Sequence, residues 1–338
     1  MKIYRLLLLA VVFIATSSTG FSQGKTDSVS IFIKQGIELG NQKEYSGAVA
    51  KYKAALSLQP ENAQANYQMA FVLFSSGRSA DAVTYIHNAI KGSTDSKFAA
   101  AAYSLQGSIY GNLNRSEESI AAYKNAIAAD SSNQRIYYNL GIAYFKAKEY
   151  AAAEQQFADA LKRDIKDAGS ARMYALATFH QNKRTEAILG FCYFLSLEPT
   201  GVRSTEAFGN LQNILQGGAL KPERGYKAVA TPYITYQNGL IVKALSVFKT
   251  RKYASQADLL AAQLDAVITK LAAAPRDKHY FWHSLADHFG KVNAAVHMPA
   301  FARYISQEAL TESARWIATN APKVASLNTW LAGNHPSI

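Results

Sequence analysis

The stretch YYNLGIAYFKAKEYAAAEQQFADAL, residues 137–161, carries no group of residues that does chemistry by itself. Its information lies in spacing. Tyr137, Leu140, Gly141 and Tyr144 recur every three or four positions, and Tyr150, Ala153, Phe157 and Ala160 do so again. Two apolar stripes of helical period with a short polar break between them predict two amphipathic helices joined by a tight turn.

Laid over the rest of the chain, the stretch repeats. Gly36, Ala70, Gly107, Gly141 and Ala175 lie 34, 37, 34 and 34 residues apart. Twelve residues after each stand Ala48, Ala82, Ser119, Ala153 and Ala187, and four further on Tyr52, Ile86, Tyr123, Phe157 and Phe191. Ala55, Ala89, Ala126 and Ala160 follow; in the fifth copy Phe194 breaks the rule. Small residues at fixed places let two helix axes approach to about 8–10 Å, and the aromatic fills the wider gap beside them. The copies fall at 29–62, 63–96, 100–133, 134–167 and 168–201, with Lys97–Ala99 inserted before the third. Polar breaks such as SSGRS (75–79) and NLNRS (112–116) place Ser79 and Ser116 as N-caps of second helices, with Asp81 and Glu117 in the first turns.

On these residues the chain resembles the tetratricopeptide repeat family over 29–201, about half its length. The fourth copy fits best, and the fifth departs most, with Phe194 for a small residue and Thr178 for an aromatic. The resemblance implies an all-α fold, an α-solenoid of five helix–turn–helix repeats, followed by an α-helical C-terminal module over 202–338. It also implies that first helices line a concave groove. The groove positions it assigns include Tyr67, Phe71 and Phe74 in the second copy, Arg135, Tyr138 and Phe145 in the fourth, and Arg172 and Phe179 in the fifth. Aromatic side chains with arginines suit a protein or peptide ligand, since Arg grips a carboxylate with two hydrogen bonds. A carboxylate clamp of the chaperone-binding kind is disfavoured, because Ile33 and Ile37 stand where that clamp uses Lys and Asn.

The two ends of the chain bound the setting. Lys2 and Arg5 precede an apolar run over 6–15, and Gly20 and Ser22 place small residues before Gln23. That pattern reads as a cleavable signal peptide, residues 1–22, and directs the protein to the periplasm, to the outer membrane or to secretion. A single cysteine, Cys192, excludes an internal disulfide and reads as a buried small hydrophobe. With 49% hydrophobic and 18% charged residues the chain has ample material for a core and is not disordered.

The C-terminal part loses the 34-residue phase at Val202. Helical periodicity there predicts segments near 205–215, 240–248, 257–271, 279–289, 299–309, 312–319 and 322–332, with Asn320 as an N-cap before Pro322. Trp282, Trp316 and Trp330 all fall in this part and indicate its core. It is also the basic part: residues 202–338 hold 15 Lys/Arg against 8 Asp/Glu, whereas 23–201 hold 19 against 16. His279, His283 and Asp287 lie four apart on one predicted helix face, a spacing open to a metal, although Tyr280 stands where a metalloprotease helix needs Glu. A solvated polar stripe is the simpler account, and no cofactor is expected.

The function that follows is an exported scaffold that binds proteins through the groove, as an envelope assembly or adaptor factor, and not an enzyme. Two alternatives stay open: a C-terminal enzyme or ligand-binding domain with the repeats as docking arm, and a basic C-terminal surface for an anionic glycan or lipid of the envelope. Export disfavours nucleic acid. The oligomeric state is left open.

Overall fold

The computed structural model describes residues 26–217, 230–248, 250–273 and 281–336. The signal segment and His279 lie outside the described residues. Among the described residues every regular element is helical, so the fold is all-α. The chain divides into two compact units, one ending at Ser132 and the other beginning at Asn133.

The first unit comprises three helix hairpins: α1 (26–41) with α2 (Tyr45–Leu58), α3 (Ala63–Ser75) with α4 (Ser79–Lys91), and α5 (Ser96–Asn112) with α6 (Ser116–Ala129). The small residues sit where the helices cross. A Cβ on Gly36 would come within 2.4 Å of the Tyr52 ring, and one on Gly107 within 2.8 Å of the Tyr123 ring. Glycine is therefore required there by close approach, not by backbone freedom. Ala48, Ala82, Ile86 and Ala89 have no exposed surface, and Met69, Leu73, Ala102 and Ile109 join them in one apolar cluster.

All the hairpin turns share one local device. Lys43 (φ 63°), Gly77 (79°) and Asn114 (59°) in the first unit, and Lys148 (61°) and Asn182 (56°) in the second, are left-handed. The next N–H reaches back five residues: Glu44 to Leu39, Arg78 to Leu73, Arg115 to Tyr110, Glu149 to Tyr144 and Lys183 to Thr178, at 2.8–3.0 Å. This is the Schellman ending, which satisfies carbonyls that the helix leaves free.

The side-chain caps differ from the sequence expectation. Asn62, Asp95, Asn133 and Asp167 cap the first helices, each accepting from a backbone N–H two or three residues on. Ser79 and Ser116 do not cap the second helices. Each is the first helical residue, and the cap positions are Arg78 and Arg115. These arginines bind the acids three residues ahead, Asp81 and Glu118, so the chain enters the helix through an ion pair rather than a hydroxyl cap.

The second unit begins with two more hairpins, α7 (Gln134–Lys146) with α8 (Tyr150–Arg163) and α9 (Ala168–His180) with α10 (Arg184–Leu197). α11 (Val202–Leu215) starts 34 residues after α9, and Gly209 stands 34 after Ala175. The period therefore runs one helix beyond Gly201, further than the spacing of small and aromatic residues shows. The remaining helices are α12 (Pro232–Leu245), which ends in a 3-10 turn at Ser246–Phe248, α13 (Gln256–Ala272), α14 (Trp282–Ala294), α15 (Met298–Ser306), α16 (Thr311–Thr319) and α17 (Ala321–Gly333). Asn320 occupies the N-cap of α17 without capping it; its amide donates to the Trp316 carbonyl at 3.0 Å.

α10 is the centre of this unit. It packs on α9, α11, α12, α14 and α15, and every residue from Thr185 to Leu195 is buried. A helix that is apolar all round has to be enclosed. Phe194, where the earlier copies carry alanine, is fully buried. Trp282 is buried and donates through Nε1 to the Tyr233 hydroxyl at 3.0 Å. Trp316 and Trp330 are only half-buried; Trp316 lies under the Arg303 guanidinium, 5.1 Å from its ring centre.

Candidate partner-binding faces of the first helices

In the first unit the face is carried by α3 and α5. Tyr67, Phe71 and Phe74 follow at i, i+4 and i+7, which puts them on one side of α3. Tyr67 leans on Phe98 of α5, ring centres 5.5 Å apart, and burial pushes its hydroxyl pKa up. Phe74 is half-buried against the core. Phe71 lies between them and is 49% exposed, on a hairpin that buries its other large apolar residues at least in part. On α5, Ser104 and Ser108 are half-buried and Asn112 is exposed. The Ser108 hydroxyl shares a 2.8 Å hydrogen bond with that of Tyr123.

In the second unit the face runs across α7, α9 and α11. Tyr138, Arg172 and Glu206 stand 34 residues apart, at the fifth residue of each helix. The Arg172 guanidinium donates to the Glu206 carboxylate at 2.5 Å. The Tyr138 hydroxyl is raised by burial first and then by Asp167, and Arg203 and Arg172 oppose the shift. One turn earlier, at the second residue of each helix, stand Arg135, Gly169 and Arg203. The missing side chain at Gly169 leaves room beside the Tyr138 ring, 3.5 Å from where a Cβ would be. The Arg203 guanidinium is paired with Glu198, and Arg135 is exposed. The result is an aromatic floor with three arginines around it, two of them already held by carboxylates that a ligand's carboxylate would have to displace.

Phe145 stands against Tyr150 and His180, with ring centres at 5.0 and 5.4 Å. Phe179 is 6% exposed and packs edge-on against Phe191, so it supports the face from behind. Glu206 and Arg203 are absent from the groove positions assigned by resemblance, because α11 lacks the paired aromatic that marks the earlier copies. The 34-residue step from Arg172 is the signal that would have found Glu206.

The alternative sites are placed as follows. His283 stacks on Trp282 at 3.8 Å, and Asp287 is exposed. Among the described residues, no three His, Cys, Asp or Glu side chains converge on a point where a metal ion would sit. Cys192 is buried, and desolvation drives its thiol pKa far up, away from a nucleophile's.

Comparison with known proteins finds the repeat itself. A tetratricopeptide repeat model matches residues 104–171, and a second TPR repeat model matches 41–77. No curated protein matches. Among solved structures, Pseudomonas aeruginosa PilF is similar at 18% identity over 66% of this chain and 93% of its own, with a TM-score of 0.50. A MamA protein is 22% identical over 51% of this chain and 93% of its own, TM-score 0.47. YrrB, described as a TPR protein with an unusual peptide-binding site, is 16% identical over 53% of this chain and 90% of its own, TM-score 0.46.

Proposed function

We propose that this chain, a tetratricopeptide repeat protein, is an exported scaffold that holds protein or peptide partners on the faces of its first helices. The exposed Phe71 carries the reading. A phenylalanine half open to water, flanked along its helix by Tyr67 and Phe74, offers contact area that folding leaves unused. Tyr138, Phe145, Arg135 and Arg172 supply the corresponding face in the second unit, where an acidic or C-terminal carboxylate of the partner suits the arginines. Preformed helices bind with little ordering cost. Lys2 and Arg5 before the apolar run over 6–15 support export, and envelope assembly or adaptor work is the role proposed there. Among the described residues no helix is long and apolar enough to cross a membrane.

The test places a photoreactive phenylalanine analogue at position 71 of the full chain in its native envelope, with Thr84 on α4 as control. Crosslinks to a discrete partner from position 71, and a loss of partner capture of about tenfold in Phe71→Ala, are expected. Equal crosslinking from position 84, or capture unchanged in Phe71→Ala, overturns the reading.

A further inference from the structure

The outward face of α12 belongs to neither first-helix face. Gln237, Ile241, Ala244 and Leu245 turn inward. Pro232, Tyr236, Gly239 and Lys243 are exposed on the opposite side, and Val242 is exposed at the flank, where it borders a second cavity with Arg184 and Leu215. Tyr236 is 51% and Val242 54% exposed, and Val247 in the following 3-10 turn is 48% exposed. Pro232, Tyr236, Gly239, Leu240 and Lys243 line a shallow open trough of 650 Å³. Thr231 caps the helix by accepting from the Ile234 N–H at 3.1 Å, and Pro232 stands in its first turn. The helix is thus finished at its start without help from anything laid on that face.

The sequence that carries α12 is basic. From residue 224 to 257 the sequence has six Lys/Arg and no Asp or Glu. Lys243, Arg251 and Lys252 are exposed, and among the described residues none of them pairs with a carboxylate. Elsewhere in this unit Arg172, Arg203 and Arg303 all have acidic partners. Long basic side chains beside exposed valine and tyrosine are what a helix lying in a lipid interface presents: the apolar atoms enter the acyl boundary, and the cations reach the headgroups. A soluble acidic polymer would neutralise the cations and leave Val242 and Val247 in water.

We infer that the outward face of α12, with Tyr236, Val242, Lys243 and Val247 and with Arg251 and Lys252 at its C-terminal end, binds the surface of an anionic phospholipid bilayer. This contact is separate from the peptide-binding reading and lies on a different helix.

The experiment is co-sedimentation of the full chain with vesicles of phosphatidylcholine mixed with phosphatidylglycerol, and with phosphatidylcholine alone. The apolar run over 6–15 contributes equally to every variant, so the comparison is between variants. Wild-type protein should prefer the anionic vesicles, and salt should weaken that preference. Lys243→Glu with Arg251→Glu and Lys252→Glu should cost it roughly 100-fold. Val242→Ser with Val247→Ser should lower it without changing binding to soluble polyglutamate. Phe71→Ala should leave it unchanged. All these substitutions are at exposed positions, and circular dichroism checks that helix content is kept. Equal partition into both vesicle types overturns the inference, as does indifference to the charge reversal. Indifference to the serine pair, with polyglutamate bound as tightly as vesicles, also overturns it and assigns the surface to an acidic polymer.

Discussion

α8 and α10 occupy the same place in successive hairpins, 34 residues apart, yet they live in different solvents. On α8, Gln155 and Lys162 are exposed, and both bind Asp159, at 3.0 and 3.1 Å. On α10 the equivalent positions of Gln155 and Asp159 are Leu189 and Tyr193, both buried, with the Tyr193 hydroxyl donating to the Ile165 carbonyl at 2.8 Å. Both helices keep the residues that meet their own partner helix: Ala153 and Phe157 on one, Ala187 and Phe191 on the other, all at 0 or 1% exposure. The repeat thus dictates how a hairpin closes, while the rest of the chain decides what its outer side touches. α12, α14 and α15 cover α10, and that side is apolar for this reason.

The largest effect comes from a register position where the two helices bury side chains of different size, Ala160 on α8 and Phe194 on α10. Phe194→Ala should cost about 3–5 kcal/mol in urea denaturation of the full chain, from lost burial plus a cavity. Ala160→Phe on α8 should cost about 1–3 kcal/mol, from overpacking at the crossing. A loss below about 1 kcal/mol for Phe194→Ala would break the comparison.

The cover on α10 also traps a carboxylate. Glu186 on α10 is 3% exposed. Desolvation first, then the charge of Glu154, raises its pKa from 4.5 to about 7, and Lys183 counters in part. Tyr174 of α9 and Tyr233 of α12 share this surrounding. The folded state holds this proton more tightly than the unfolded chain does. The stabilising contribution is therefore complete below about 4.5 and is lost as the pH rises through about 7. The full span is worth roughly 3 kcal/mol. Stability measured across that window should fall in the wild type and stay flatter in Glu186→Gln; parallel curves would remove the argument.

Two glycines of one register, Gly141 and Gly209, have different surroundings. A Cβ on Gly141 would lie 2.6 Å from the Phe157 ring, whereas nothing lies within 4 Å of one on Gly209. Gly141→Ala should destabilise by about 1–3 kcal/mol. Gly209→Ala, at an exposed position of α11, should stabilise by about 0.5–1 kcal/mol through helix propensity. Thermal unfolding of the two variants should move in opposite directions, and a shift in the same direction would show that the register alone decides.

What could be read from the sequence followed from this division. The hairpins were legible because close packing at a crossing admits few residue types, so Gly36, Gly107 and Gly141 with their aromatic partners repeat in plain view. The predicted C-terminal segments near 257–271 and 312–319 lie close to α13 and α16 because their apolar spacing is local. The cover on α10 was not legible, since it joins residues far apart in sequence. Ser79 and Ser116 were misleading because a hydroxyl beside a helix start is a weak signal. The recurring Asn62, Asp95, Asn133 and Asp167 were the stronger one. Of the left-handed turn residues, Gly77, Asn114 and Asn182 are of types that favour this backbone, but Lys43 and Lys148 are not. On the first-helix faces the aromatics were visible, whereas the pairing of Arg172 with Glu206 needed α11 to be in phase.

The shared turn has a consequence for how such a surface can change. Its geometry is made by backbone hydrogen bonds and one left-handed residue, without help from the side chains at the fifth residue of each 34-residue copy, counted from 29, 63, 100, 134, 168 and 202. Ile33, Tyr67, Ser104, Tyr138, Arg172 and Glu206 occupy that position in turn and range from aliphatic to aromatic to charged. Ligand preference can therefore drift one module at a time, with the joint between the two rods unaltered.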